Sequence, residues 1–363
     1  MSTPPDLLYS EPEDDLRAAV RASLTARADL PAALARAESG DPYDPALWSS
    51  LVGIGVAGLL VPESLGGQGA GPREAAVVLE ELGRAVTPAP CLTSSVVATT
   101  TLLACDSDSP DIAGLLTALA RGHKVAVLAL PLGTAPDGPL PTGADTVRGV
   151  ADAVRADVLL TLRQDGLYAV ETASSAVTVE PLTPLDLTRP LATVTVDPGA
   201  GLRIAAPPVA ESAVRAGLLT GAGLLASEQL GVAEWCLEES VRHTKDRYQF
   251  NRPVGSFQAL KHRMAQLWLE VASARAAARA AADALATGSP DAPLAVALAQ
   301  AYCGPVAVHA AEECVQLHGG IGMTWEHPAH LALKRAKSDA TAFGSTGRHK
   351  EALAVLADLP APG

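Results

Sequence analysis

Aromatic side chains are scarce: the 363-residue chain holds 3 Phe, 4 Trp and 5 Tyr. Basic residues are in deficit too, with 27 Lys and Arg against 40 Asp and Glu, a formal charge of −13. A chain without rings to stack on bases and without a positive surface to meet phosphates is not expected to bind nucleic acid. Cysteine is sparse and odd in number, 5 in all, with no C-x-x-C spacing. Neither a disulfide framework nor a metal centre is expected, and Cys91, Cys105, Cys236, Cys303 and Cys314 should be buried thiols. The first fifteen residues are acidic, unlike the basic start of a signal peptide, and no apolar run of membrane-spanning length stands out. The expectation is a soluble cytoplasmic protein with no membrane span. Apolar residues are plentiful, at 48%, and a chain of this length should divide them among two or three domains.

The pattern changes twice along the chain. Residues 1–121 read as a helical domain, with Leu16, Val20 and Leu24 on one stripe and Ala75, Val78, Leu79 and Leu82 on another. Between the stripes, glycines from Gly53 to Gly69 mark a tight loop in which backbones approach closely. Residues 122–209 switch to period two, with candidate strands Val125–Ala129, Val158–Leu162, Leu167–Val170, Val177–Val179 and Ala192–Val196. Short strands without long helices between them predict an antiparallel sheet or small barrel. Residues 210–363 return to helix. Leu260, Met264, Leu267, Val271, Ala274, Ala278, Ala281 and Leu285 form a seam, as do Leu230, Ala233, Leu237, Val241, Thr244 and Tyr248, which predicts an antiparallel bundle. Gly304-Pro305 should bend or interrupt a helix there. The fold class expected is α+β, mainly α.

Two stretches exceed what packing needs. Arg247 to Gln258 joins the strongest helices with guanidiniums, amides and phenyl rings. Gln316 to Pro328 contains Gly319, Gly320 and Gly322, which let a backbone approach a ligand closely. The residues alone leave open whether each is a ligand loop or an ordinary connection. His318 and His327 stay outside the catalytic set, because a loop histidine more often satisfies local backbone groups.

At these motifs, and at Val61-Pro62-Glu63, Gly66-Gly67 and Leu79-Glu80-Glu81-Leu82-Gly83-Arg84, the sequence resembles the acyl-CoA dehydrogenase family of flavoproteins over nearly its whole length. The resemblance implies an N-terminal helical domain, a central β domain, a C-terminal four-helix bundle, and FAD lying across a subunit interface. By position, Arg247 would pair with the pyrophosphate, while Phe250 and Gln258 would meet the adenosine end. Gln316, Gly319 and Gly320 would complete that surface. The family's reaction needs a carboxylate base beside the thioester. The two positions where the resemblance places it are Phe343 and Gly221, with Ala222 where many members carry an arginine. The segment Ala129 to Gly138 also lacks the family's flavin-ring motif. An intact adenosine side and an eroded ring side resemble the non-catalytic subunit of heteromeric, steroid side-chain type enzymes. The implied partners are an acyl-CoA substrate, a catalytic subunit in a heterotetramer or a second copy of the chain, and an electron-transfer acceptor. One alternative is a self-sufficient homomeric enzyme with Asp339 as an unusual base, although an exposed helix charge is the plainer reading of Asp339. A second is a flavin-free relic of the family.

Overall fold

The computed structural model describes residues 4–26, 30–39 and 41–359. Helix α1 (Glu11–Thr25) starts where the Ser10 N–H and hydroxyl both donate to Glu13, a cap that satisfies free donors of the first turn. After α2 (Leu30–Glu38), α3 (Pro45–Ile54) begins at the Asp44 cap with Pro45 in its first turn and stops at Gly55, whose φ of 98° suits glycine. The glycine-rich stretch is a self-bonded loop: Gly67 and Gly69 donate to the Pro62 and Val61 carbonyls, and a Cβ at Gly67 would collide with Val61. It is a packing turn. Helix α4 (Pro72–Arg84) buries its Ala75, Val78, Leu79 and Leu82 stripe as expected. A π-helical stretch (Cys91–Ala98) leads into α5 (Thr99–Leu103), and α6 (Pro110–Ala120) ends this part.

The β region departs from a single antiparallel sheet or barrel. Strands β1 (Ala126–Leu128), β3 (Val158–Arg163), β4 (Gly166–Glu171) and β7 (Leu202–Ala205) form one sheet in the order β1-β3-β4-β7. Strands β2 (Thr146–Ala151), β6 (Leu191–Val196) and β5 (Val177–Leu182) form another in the order β2-β6-β5. The β1–β3 pair is parallel. β2 and β7 were not among the sequence candidates. β7 has no buried residue, and β2, half of it buried, is broken by a bulge between Arg148 and Val150; an edge strand without an apolar run carries little period-two signal. The first sheet is covered on both faces: Leu160 and Leu162 point to the helical core, Leu159 to a smaller core against the second sheet. This explains why β3 is buried on both faces and apolar at Val158, Leu159, Leu160 and Leu162.

The chain then enters α7 (Val209–Asp246), a 38-residue helix, followed by the hairpin β8 (Tyr248–Gln249) and β9 (Arg252–Pro253). Tyr248 therefore leaves the helical seam and lies exposed. Helices α8 (Gln258–Ala286), α9 (Ala292–His318), α10 (Ala329–Asp339) and α11 (Thr346–Leu356) complete the bundle. The alanine seam of α8 is buried at Ala274, Ala278 and Ala281. α9 runs through Pro305 as one helix, so of the expected bend or interruption the interruption does not occur. Its flanks, Cys303, Gly304, Val306 and Ala307, are buried, and packing supplies what the missing hydrogen bond removes. Two glycines decide how the N-terminal helices meet the bundle. A Cβ at Gly83 would collide with the Glu228 carbonyl, and a Cβ at Gly231 with that of Glu80, so α4 and α7 cross backbone to backbone. Arg73 adds a polar tie, bonding Glu13 at 2.7 Å and Asp283 at 3.1 Å across three helices.

The expectation of no spanning-length apolar stretch needs correcting. α7 and the segment Ala292–Met323 are long and apolar enough by composition, but 67% and 56% of their apolar windows are buried inside the protein. They are the core helices of the bundle. Four of the cysteines are buried as expected, and Cys105 is half-buried.

Candidate functional site

The six residues expected to meet a dinucleotide lie at one end of the bundle. Arg247 caps α7, its N–H donating to the His243 carbonyl and its carbonyl accepting from the Val254 N–H. The hairpin then turns through Phe250 and Asn251 at φ of 53° and 62°, the two-residue turn that suits strand twist but normally takes Asn-Gly. A bulky residue there is strained, and its effect is to hold the Phe250 ring outward, 87% exposed. Gln258 opens α8 and Gln316 sits in the last turn of α9. The Arg263–Glu313 ion pair at 2.7 Å joins these antiparallel helices just inside both residues. The His243 and His318 rings, 4.1 Å apart, bring the ends of α7 and α9 together. Gly319 adopts φ 63° and ψ −137°, open to glycine alone among common residues. A Cβ added at Gly319 or Gly320 would meet nothing within 4 Å. Arg247, Gln258 and Gln316 are exposed, and among the described residues their side chains make no hydrogen bond or ion pair. Three unpaired polar groups and two open glycine backbones are a surface prepared for a polar ligand.

Phe343 and Gly221 behave differently. Phe343 is 4% exposed and takes φ 52°. Its N–H donates to the Leu132 carbonyl at 2.7 Å, and the buried His349 donates from Nε2 to its carbonyl at 3.0 Å. Burial holds His349 below the usual histidine range. A Cβ at Gly221 would fall 2.5 Å from Val97 Cγ2 and 3.1 Å from Phe343 Cζ. The two positions face each other and are packed shut. The cavity beside them, about 30 Å³, is lined by Thr93, Val97, Leu130, Leu132, Leu218 and Phe343 among others. It has room for about one water, and no carboxylate lines it.

Asp339 is neither an exposed helix charge nor a base facing Phe343. It is completely buried in a network with Asp186, Arg189, Glu228 and Arg335. Burial alone would raise Glu228, but Arg189 and Arg335 hold it below the usual carboxylate range, and both guanidiniums bond it. Arg335 also bonds Asp186 and the Thr188 carbonyl. Three carboxylates thus share two guanidiniums. Asp339 is the one left over: Arg189 is 3.4 Å from its Oδ1, and among the described residues neither oxygen has a hydrogen-bond partner. Burial first, and the Glu228 charge second, push it up to about 8. A sealed, protonated carboxyl has no path to a substrate. Sequence reasoning missed this network because Arg189 and Glu228 come from distant elements, and only the four-residue spacing of Arg335 and Asp339 was visible.

The chain matches the acyl-CoA dehydrogenase N-terminal domain over residues 10–108 and the C-terminal domain over residues 212–355. It is 38% identical to the acyl-CoA dehydrogenase IpdE2 of Mycolicibacterium smegmatis over 337 residues, 92% of this chain and 95% of that one. The chain belongs to the acyl-CoA dehydrogenase family. It is also 34% identical to the acyl-CoA dehydrogenase FadE34 of Mycobacterium tuberculosis, over 85% of this chain and 42% of that one. Among solved structures, the ChsE4–ChsE5 complex from Mycobacterium tuberculosis contains a chain similar at a TM-score of 0.86 and 26% identity, covering 98% of this chain and 100% of that chain. The Tcur3481–Tcur3483 steroid acyl-CoA dehydrogenase is similar at a TM-score of 0.84 and 26% identity, covering 96% and 98%.

Members of this family are FAD-dependent oxidoreductases. The bundle end fits the outer part of such a cofactor: a free guanidinium for a pyrophosphate, free amides, and glycine backbone that nothing covers. The inner half does not fit. Phe343 packed on Gly221 occupies the place where a family base would stand, and the space beside it, about 30 Å³, has no room for a thioester.

Proposed function

We propose that this chain is the supporting subunit of a heteromeric acyl-CoA dehydrogenase, supplying the adenosine-side FAD surface to a catalytic partner. The partner brings the base and the ring site. The observation that carries this reading is the packing of Phe343 against Gly221, which fills the space where a family base would stand. Bound FAD supplies the hydride acceptor for α,β-desaturation of an acyl-CoA. This chain's residues position it: Arg247 pairs with the pyrophosphate, Phe250 and Gln258 hold the adenosine end, and Gln316 with the Gly319 and Gly320 backbone closes the surface. An electron-transfer acceptor would take the electrons from the reduced complex. The similarity to IpdE2 and to two complexes of paired names, one called a steroid enzyme, supports a heteromer acting on a steroid-derived acyl-CoA.

A subunit role needs surface for a partner. The α8 seam is spent inside the chain, but its outer face leaves Trp268 and Leu269 exposed, at 61% and 54%. We assign this face to subunit packing, in a tetramer of two pairs. The test is turnover of acyl-CoA with an artificial electron acceptor, by the purified chain and by its complex with a catalytic subunit. Activity in the complex alone is expected. Brisk turnover by the isolated chain would overturn the assignment in favour of a self-sufficient homomer.

A further inference from the structure

We infer that Glu239, His318 and His327 form a binding site for a divalent transition-metal ion of the zinc class. The three come from α7, the last residue of α9 and the segment before α10, and one donor atom from each lies within 4.8 Å of the others. Glu239 Oε1 is 3.4 Å from His318 Nε2 and 3.9 Å from His327 Nε2. Ligand atoms around a tetrahedral ion with bonds of about 2.0–2.2 Å stand about 3.4 Å apart. The first spacing already fits, and the second needs a shift of a few tenths of an ångström.

His318 points most directly to a ligand. Its side chain is wholly buried, yet its Nε2 has no hydrogen-bond partner among the described residues. Its Nδ1 lies 2.7 Å from the Cys314 carbonyl. A carbonyl can only accept, so Nδ1 carries a proton and Nε2, which faces the Glu239 carboxylate, is the nitrogen open to a metal ion. The buried ring nitrogen and the half-buried carboxylate are held together by a cation, either a proton or a metal ion. A proton on Nε2 serves this pair in the metal-free chain; a metal ion would displace it and draw in His327 Nε2, which stands 3.9 Å from the same carboxylate oxygen. A backbone carbonyl behind one nitrogen is also the arrangement that orients metal-binding histidines.

Two competing contacts must be met. Arg242 donates to both oxygens of Glu239 from the solvent side, but a carboxylate has about four lone-pair positions and Arg242 is largely exposed. His327 Nδ1 accepts from the Ala329 N–H at 3.2 Å, and ligation through Nε2 moves the ring proton to Nδ1 at the expense of that bond. The ion would clamp the end of α7 to the end of α9 and to the turn carrying Gly319 and Gly320. The inference stands whether or not the chain binds flavin.

The experiment uses tag-free full-length chain, stripped with a chelator and titrated with Zn²⁺ alone, then with Co²⁺ alone. We expect one retained equivalent of Zn²⁺ per chain and visible d–d bands with Co²⁺. Because His318 is fully buried and its replacement could unfold the chain, the variants are Glu239→Gln and His327→Asn, each checked for native circular dichroism. Each should bind Zn²⁺ more weakly by at least about tenfold, the loss that removing even an outer partner of a metal site produces. A wild-type chain that retains no ion, or folded variants that retain it unchanged, would overturn the site.

Discussion

Replacing Asp339 with Asn should stabilise the protein, and increasingly so as the pH rises. Asp339 is completely buried, neither oxygen has a hydrogen-bond partner among the described residues, and its carboxyl is pushed up to about 8. In the unfolded chain the same group titrates near 3.9. From about pH 4 to about pH 8 the folded state therefore holds a proton that the unfolded state has released. Stability falls as pH rises wherever the folded state binds more protons, here by about 1.4 kcal/mol per pH unit. Asn carries no such proton, so the gap between variant and wild type should widen by that amount for each unit across the window and level off above it. Every other titrating group cancels in the difference. The assay is urea unfolding of both proteins at pH 5, 6, 7 and 8, with equal m-values as the check on comparability. If Asp339 were instead an ionised partner of Arg189, its removal would cost about 3–5 kcal/mol. A uniformly weaker variant, or one with the wild-type pH slope, would refute the protonated reading.

Arg247→Ala should reduce FAD retention by the native complex roughly tenfold or more, as expected from losing a charge-assisted bond worth about 1.5–3 kcal/mol; flavin absorbance after gel filtration measures it. Phe343→Glu should give the isolated chain no acyl-CoA turnover, because a carboxylate in so closed a space stays protonated and no substrate can reach it; steady-state kinetics decides. Phe343→Ala should cost about 3–5 kcal/mol of stability, read as a drop in urea midpoint. Gly231→Ala should destabilise by at least about 1–3 kcal/mol, since the new Cβ meets the Glu80 carbonyl of α4; an unchanged midpoint would disprove the close crossing.

Helical periodicity made α4, α7 and α8 legible; the stripe of α8 is buried at that spacing, while α4 and the middle of α7 are buried on every side. It could not separate the β region into two sheets: the apolar run of β3 looks the same whichever layers cover it, and β2 and β7 carry no alternating pattern. Pro305 does not interrupt α9, because buried neighbours on both sides hold the helix together. At the site, Arg247, Gln258 and Gln316 could be singled out as polar groups in unusual connections, and the structure leaves all three unpaired at one end. The contact between Phe343 and Gly221 was beyond sequence reasoning, for they are far apart in the chain and meet only when α7 passes beneath the turn after α10. Asp339 failed in both expected forms, because its burial is imposed by Arg189 and Glu228 rather than by its own neighbours in sequence.

The closed cavity also sets a direction for change. An enzyme that keeps a hollow for an acyl chain forgoes the packing of that space, whereas burying a phenyl ring there contributes about 1.5–3 kcal/mol. Return is steep. Shrinking Phe343 loses stability before any substrate can enter, a side chain at Gly221 strikes Val97 until that residue also shrinks, and a base gains nothing until both have moved. Each early step is a loss and only the last brings activity, so packing at this one point acts as a ratchet.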